Sequence, residues 1–97
     1  MKELVWLDSA VDDLVRFRSF LEQENPAAAN RAAEIIKGSI QHLIHHPHVG
    51  KPVTDLPEYR DLLIRFGAGG YVIRYRICEE IIYIVHLRHY RENDFGS

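Results

Sequence analysis

The sequence predicts an α+β domain in the order β-α-α-β-β-β, on three observations. Two stretches with apolar residues at 3–4 spacing fill the first half, a segment rich in proline and glycine follows, and β-branched and aromatic residues dominate the last third. Runs of strands after runs of helices suggest an N-terminal strand, an antiparallel helix hairpin and a three-stranded antiparallel meander, with the helices packed on one face of the sheet. Ninety-seven residues suffice for one domain with one modest core, spanning 1–97.

The opening Glu3-Leu4-Val5-Trp6-Leu7 is short and apolar, suited to a strand, and it halts at Asp8-Ser9. Ser9 reads as a helix N-cap with Asp12 three residues on, and Asp12 and Asp13 suit the positive end of the helix dipole. The first helix runs to residue 23 with Val11, Leu14, Phe17 and Leu21 as its buried stripe. Asn25-Pro26 then resets the chain, because asparagine caps well and proline is preorganised for the first helical position. The second helix buries Ala28, Ala32, Ile35, Ile36, Leu43 and Ile44, tolerates Gly38 and ends at Pro47.

Residues 46–58 have the composition of a loop, punctuated by Pro47, Gly50, Pro52 and Pro57. A strand over 59–66 alternates Arg60, Leu62, Ile64 and Phe66 with Tyr59, Asp61, Leu63 and Arg65. Gly67-Ala68-Gly69-Gly70 turns the chain into a hairpin of residues 71–78 and 81–88, joined at Glu79-Glu80. Alternation puts Arg74 and Arg76 on one face and Tyr71, Ile73, Tyr75 and Ile77 on the other. With a symmetric turn, the arginine face also carries Ile81, Tyr83, Val85 and Leu87, which is too apolar for open solvent. Either arginine stems cover those residues and stack on Tyr83, or a partner covers them.

Composition narrows the function. A hydrophobic share of 46% and a charged share of 27% are those of an ordinary soluble domain. No apolar run approaches the roughly 18 residues of a membrane span, and no secretory signal opens the chain, so a cytoplasmic protein is expected. The single Cys78 lies in a strand and reads as a buried, inert thiol in a reducing compartment. A net charge of -2 argues against a protein that wraps duplex DNA. The sum hides an asymmetry. Residues 1–50 hold five Lys or Arg against seven Asp or Glu, whereas 59–78 and 86–91 hold Arg60, Arg65, Arg74, Arg76, Arg88 and Arg91 against Asp61.

Several pieces, taken in order, cover nearly the whole chain: Val5-Trp6, Ala10 and Asp13-Leu14; Asn25-Pro26-Ala27-Ala28-Ala29; and His46-Pro47-His48-Val49-Gly50-Lys51-Pro52. Tyr59-Arg60-Asp61-Leu62, Tyr71-Val72-Ile73-Arg74-Tyr75-Arg76 and Ile84-Val85-His86-Leu87-Arg88-His89-Tyr90-Arg91 complete them. Together they resemble the ParE/RelE superfamily of bacterial toxins from type II toxin–antitoxin operons. The RelE branch implies a ribosome-dependent mRNA endonuclease that places cations where charge develops, with a base and an acid nearby. By position Arg65 and Arg91 match basic residues of that branch. Leu63 and Val72 stand where it has a lysine and an arginine, and its lysine-rich, tyrosine-containing tail is missing. Each lost donor removes about 3 kcal/mol of transition-state stabilisation.

The ParE branch fits these residues better and implies a protein that inhibits DNA gyrase by binding it. The resemblance further implies a cognate antitoxin, no cofactor, no membrane partner and duplex DNA contact only through the antitoxin complex. The alternatives are the endonuclease and a non-toxic module that still binds antitoxin. Catalytic candidates for an endonuclease are Arg65, His86, His89 and Arg91. Candidate contacts to target or antitoxin are Arg60, Arg74, Arg76, Tyr83, Arg88, Tyr90 and Arg91. His42 with His45 or His46 lies one helical turn apart, but without a third ligand at a fitting spacing no metal site is expected.

Overall fold

A computed structural model describes residues 2–67 and 69–89. Its elements are β1 (Glu3–Trp6), α1 (Asp8–Glu24), α2 (Pro26–His42), β2 (Lys51–Val53), β3 (Leu56–Phe66), β4 (Gly69–Cys78) and β5 (Ile81–His89). The five strands form one sheet in the order β1-β5-β4-β3-β2. Strands β2 to β5 are antiparallel neighbours, while β1 lies parallel to β5. The α+β class and the helix pair on one sheet face match the sequence expectation, and the meander has one strand more than expected.

The core lies between the helices and that face. Ile73, Tyr75, Ile82, Ile84 and Leu87 from the sheet meet Ala10, Phe17, Ile36, Ile40 and Leu43 from the helical half, all nearly inaccessible to solvent. Burying one such aliphatic side chain contributes about 1.5–3 kcal/mol, so this cluster is the main source of stability.

Helix α1 starts two residues earlier than expected. Leu7 occupies the N-cap without a side-chain bond, and Ser9 is not the cap. The hydroxyl of Ser9 instead donates to the Val85 carbonyl at 2.6 Å, and the Leu87 N–H donates to Asp13 Oδ2 at 2.9 Å. Strand β1 ends at Trp6, so among the described residues no strand partners the outer edge of β5 beyond Ile84. Two side chains one helical turn apart finish that ladder, which protects an edge that would otherwise invite pairing. Val11 falls outside the buried stripe. Ala10 is fully buried in its place, and Val11 is 41% exposed.

Asn25 separates the two helices. Its backbone N–H bonds to the Leu21 carbonyl, ending α1, and its side chain accepts from Ala28 N, starting α2. Helix α2 buries Ala29, Ala32, Ala33, Ile36 and Ile40, then gives way at His42 to a turn that still carries Leu43 into the core. Ala28 and Ile44 are only half-buried, and Ile35, one position before Ile36 and about 100° away around the helix, is exposed. The helix thus stops short of Pro47.

The supposed loop of 46–58 contains β2 and the first residues of β3. Pro52 sits in an edge strand, where its missing N–H need not break a ladder, and the register shifts between Pro52 and Val53. The loop before it is anchored by Tyr75, whose hydroxyl accepts from the buried Gly50 N–H at 2.9 Å and donates to the Pro47 carbonyl at 2.7 Å. Gly67 turns β3 into β4 at φ +60°, a conformation glycine adopts freely.

Candidate functional site

The sheet face turned away from the helices collects most of the predicted arginines. Register pairs Asp61 with Arg74, Tyr59 with Arg76 and Leu63 with Val72 across β3 and β4, and paired residues share a face. Arg74 makes a bidentate ion pair with Asp61, at 2.9 and 3.0 Å, on a half-buried patch. The hydrogen bond to Asp61 raises the pKa of Arg74, partly offset by burial. Arg76 meets Glu58 at 2.8 Å, and that hydrogen bond raises its pKa likewise. Both central arginines are therefore charged and already matched by a carboxylate.

The far end of the face differs from the symmetric hairpin. Tyr75 pairs with Ile84 but Arg74 pairs with His86, so Val85 is an extra residue, a β-bulge. The bulge reverses the alternation beyond it. Leu87 turns into the core at 1% exposure instead of lining the arginine face, and Arg88 takes a place beside Val72. Tyr83 keeps its expected position opposite Arg76. Away from that face, the Arg16 guanidinium lies over the Phe17 ring, 4.6 Å from the ring centre.

The remaining candidates scatter. Arg60 lies on the helix side and donates to the carbonyls of His48 (3.1 Å) and Gly50 (2.7 Å), tying down the loop. Arg65 is exposed near the β3–β4 turn. His86 Nδ1 is 3.0 Å from Asp13 Oδ2, and His89 stands edge-on to Tyr71 with ring centres 5.7 Å apart. Tyr90 and Arg91 lie outside the described residues. Cys78 is half-buried, less sheltered than its strand position suggested. His42 stacks on His46 at 4.4 Å, and among the described residues no group of three or more His, Cys, Asp or Glu is placed to hold a metal ion.

Sequence reasoning missed two features. Asp13, half-buried beneath α1, holds both His86 and the Leu87 N–H, and its i,i+4 relation to Ser9 was the available signal. A cleft of about 580 Å³ opens between α1 and the sheet, lined by Arg16, Phe17, Phe20, Leu21, Phe66 and Tyr71. Phe20 stands at it 63% exposed, three residues beyond the core residue Phe17.

Residues 4–94, from β1 to beyond β5, match the family described as ParE toxin of type II toxin-antitoxin system, parDE. The chain belongs to this family. Among curated relatives, Toxin RelE3 of Caulobacter vibrioides is 34% identical over 77 residues, covering 79% of this chain and 82% of that one. Toxin RelE2 of the same organism is 33% identical over 89 residues, covering 92% and 96%. A solved structure described as the chromosomal ParDE TA system from P. aeruginosa superposes with a TM-score of 0.77 over 92% of this chain and 96% of that one. At 21% identity that likeness concerns the fold. As a type II toxin of the ParE/RelE superfamily, this ParE-family chain has a cognate antitoxin as partner. No helix among its described residues is long and apolar enough to cross a membrane.

Proposed function

We propose that this ParE-family toxin acts in the cytoplasm by binding DNA gyrase, and that its antitoxin neutralises it by covering the protein surface used for that contact. The observation that carries the reading is the commitment of Arg74 to Asp61 and of Arg76 to Glu58. An RNA-cleaving centre needs cations aimed at the charge that develops on phosphorus. Carboxylates already occupy the two central ones here, whereas a protein-binding face tolerates, and gains specificity from, such fixed charge pairs.

One contact favours the endonuclease as second reading. A carboxylate at His86 Nδ1 is the arrangement that orients a catalytic imidazole, and Asp13 supplies it. Growth and enzymology separate the two. Expression without antitoxin should arrest growth, induce the DNA-damage response and block supercoiling by purified gyrase. Rapid loss of translated mRNA with supercoiling untouched would establish the endonuclease, and normal growth at confirmed soluble expression would leave a non-toxic antitoxin binder.

A further inference from the structure

The cleft of about 580 Å³ between α1 and the sheet lies on the opposite side of the sheet from the Arg74–Asp61 and Arg76–Glu58 pairs. Its volume falls within the roughly 300–1,000 Å³ of sites that take single small ligands. Its floor is aromatic and firmly packed. Tyr71 and Phe17 are 4% and 8% exposed, with ring centres 5.2 Å apart and planes inclined at 45°. Phe66 stands 6.3 Å from Tyr71, inclined at 36°. Tilted rings present edges as well as faces, an arrangement against which a further aromatic ring packs well. Phe20 forms the lip at 63% exposure, apolar surface that a bound ring would remove from water.

Charge sits at the rim. Arg16 lies over the Phe17 ring with its side chain 58% exposed, and His89 stands edge-on to Tyr71. Among the described residues the lining holds no carboxylate. Asp13 reaches Arg16 through Oδ1 at 3.3 Å from outside the lining, while its Oδ2 accepts from the Leu87 N–H. A guanidinium carries five N–H donors in one plane, more than one carboxylate engages, and its fork matches carboxylate geometry. The cleft thus joins a flat apolar interior to a cationic edge.

We propose that this cleft binds a small aromatic carboxylate, its ring between Phe20 and the Phe66–Tyr71 floor and its carboxylate at Arg16. The rings select a planar apolar body and the rim selects the sign of its charge, because an aromatic amine would meet Arg16 as a like charge. The site is independent of gyrase and of the antitoxin.

Titration of the full chain with cinnamate, followed by NMR, tests this. Saturable binding with a Kd of about 1 mM or tighter is expected. Shifts should centre on the amides of Phe20, Gly70 and Tyr71, with nuclear Overhauser contacts from the cinnamate ring protons to Phe17 and Phe20. Cinnamyl alcohol keeps the ring and lacks the charge, so it should bind about fivefold more weakly, and Arg16→Gln should abolish that difference. Phe20→Ala, at an exposed position, should weaken both probes about fivefold and leave the thermal midpoint unchanged. The Overhauser contacts are read on the parent chain, so they decide the matter even where a variant misfolds. Shifts that do not saturate, shifts centred elsewhere, equal affinity for the two probes, or a charge preference that survives Arg16→Gln would each overturn the proposal. Absence of cinnamate binding together with protection of Phe20 in the antitoxin complex would overturn it in favour of a protein contact.

Discussion

Replacing Tyr75 with phenylalanine deletes one oxygen and tests how the loop before β2 is held. The ring is fully buried and would keep its packing, so the change isolates two hydrogen bonds, from Gly50 N–H at 2.9 Å and to the Pro47 carbonyl at 2.7 Å. A buried polar group left without a partner costs about 1–3 kcal/mol. Gly50 is buried and has no route to water, whereas the Pro47 carbonyl is only part-buried and can be rehydrated. The loss should therefore be about 2–3 kcal/mol, mostly from Gly50. For a domain of this size each kcal/mol at the midpoint lowers the melting temperature by about 4–8 °C, so a fall of about 10 °C or more is expected. Urea titration followed through the single Trp6 measures it, and the slope with denaturant should not change, because the surface exposed on unfolding stays the same. A loss below about 0.5 kcal/mol would refute the reasoning and mean that the loop is held by Arg60 alone.

Gly50→Ala approaches the same contact from the other side. Its Cβ would lie 2.6 Å from Tyr75 Oη and 3.0 Å from the Asp61 carbonyl, so a loss of about 1–3 kcal/mol in thermal melts is expected. Asp13→Ala should cost about 1–2 kcal/mol and speed amide exchange at Leu87, whose N–H loses its acceptor; unchanged exchange there would exclude the edge-sealing role. Burial raises the phenol pKa of Tyr71, and that of Tyr75 against the opposing pull of the Gly50 hydrogen bond. A group raised in the folded state contributes fully below its unfolded pKa near 10 and loses that contribution as pH climbs through the folded value. Stability should thus fall above about pH 10, and Tyr71→Phe should make the fall shallower by up to about 1.4 kcal/mol per pH unit in urea titrations.

Local chemistry made some of this fold legible. Asn25-Pro26 marked the helix boundary because capping acts within four residues, and the alternation in 59–66 gave the two faces of β3 correctly. Signals that depend on distant parts of the chain misled. Ser9 looks like a cap, but its hydroxyl is drawn to β5, 76 residues away. Lys51-Pro52-Val53 looks like loop because proline opposes strands, and only its position at the sheet edge makes the proline tolerable. The bulge at Val85 leaves no mark in a run of β-branched and aromatic residues that would pair in either register. Placement of the candidate site suffered most from it, since that one residue decides whether Leu87 or Arg88 shares a face with Arg74. Arg60 carries the same charge as its neighbours and only the fold shows that it serves the loop.

Asn25 also sets how closely the two helices are tied to each other. One residue closes α1 with its backbone and opens α2 with its side chain, so the helix pair has no slack segment to absorb a relative rotation. The aromatic cleft under Phe20 belongs to one helix and β3 lies beside the other. A protein that levers α2 away from β3 would have to carry α1 with it or break a cap worth about 1 kcal/mol. The junction thus ties the end of α1 to the start of α2 through one residue, and Asn25→Gly, which keeps the chain length but removes the side-chain acceptor, is the change that would loosen it.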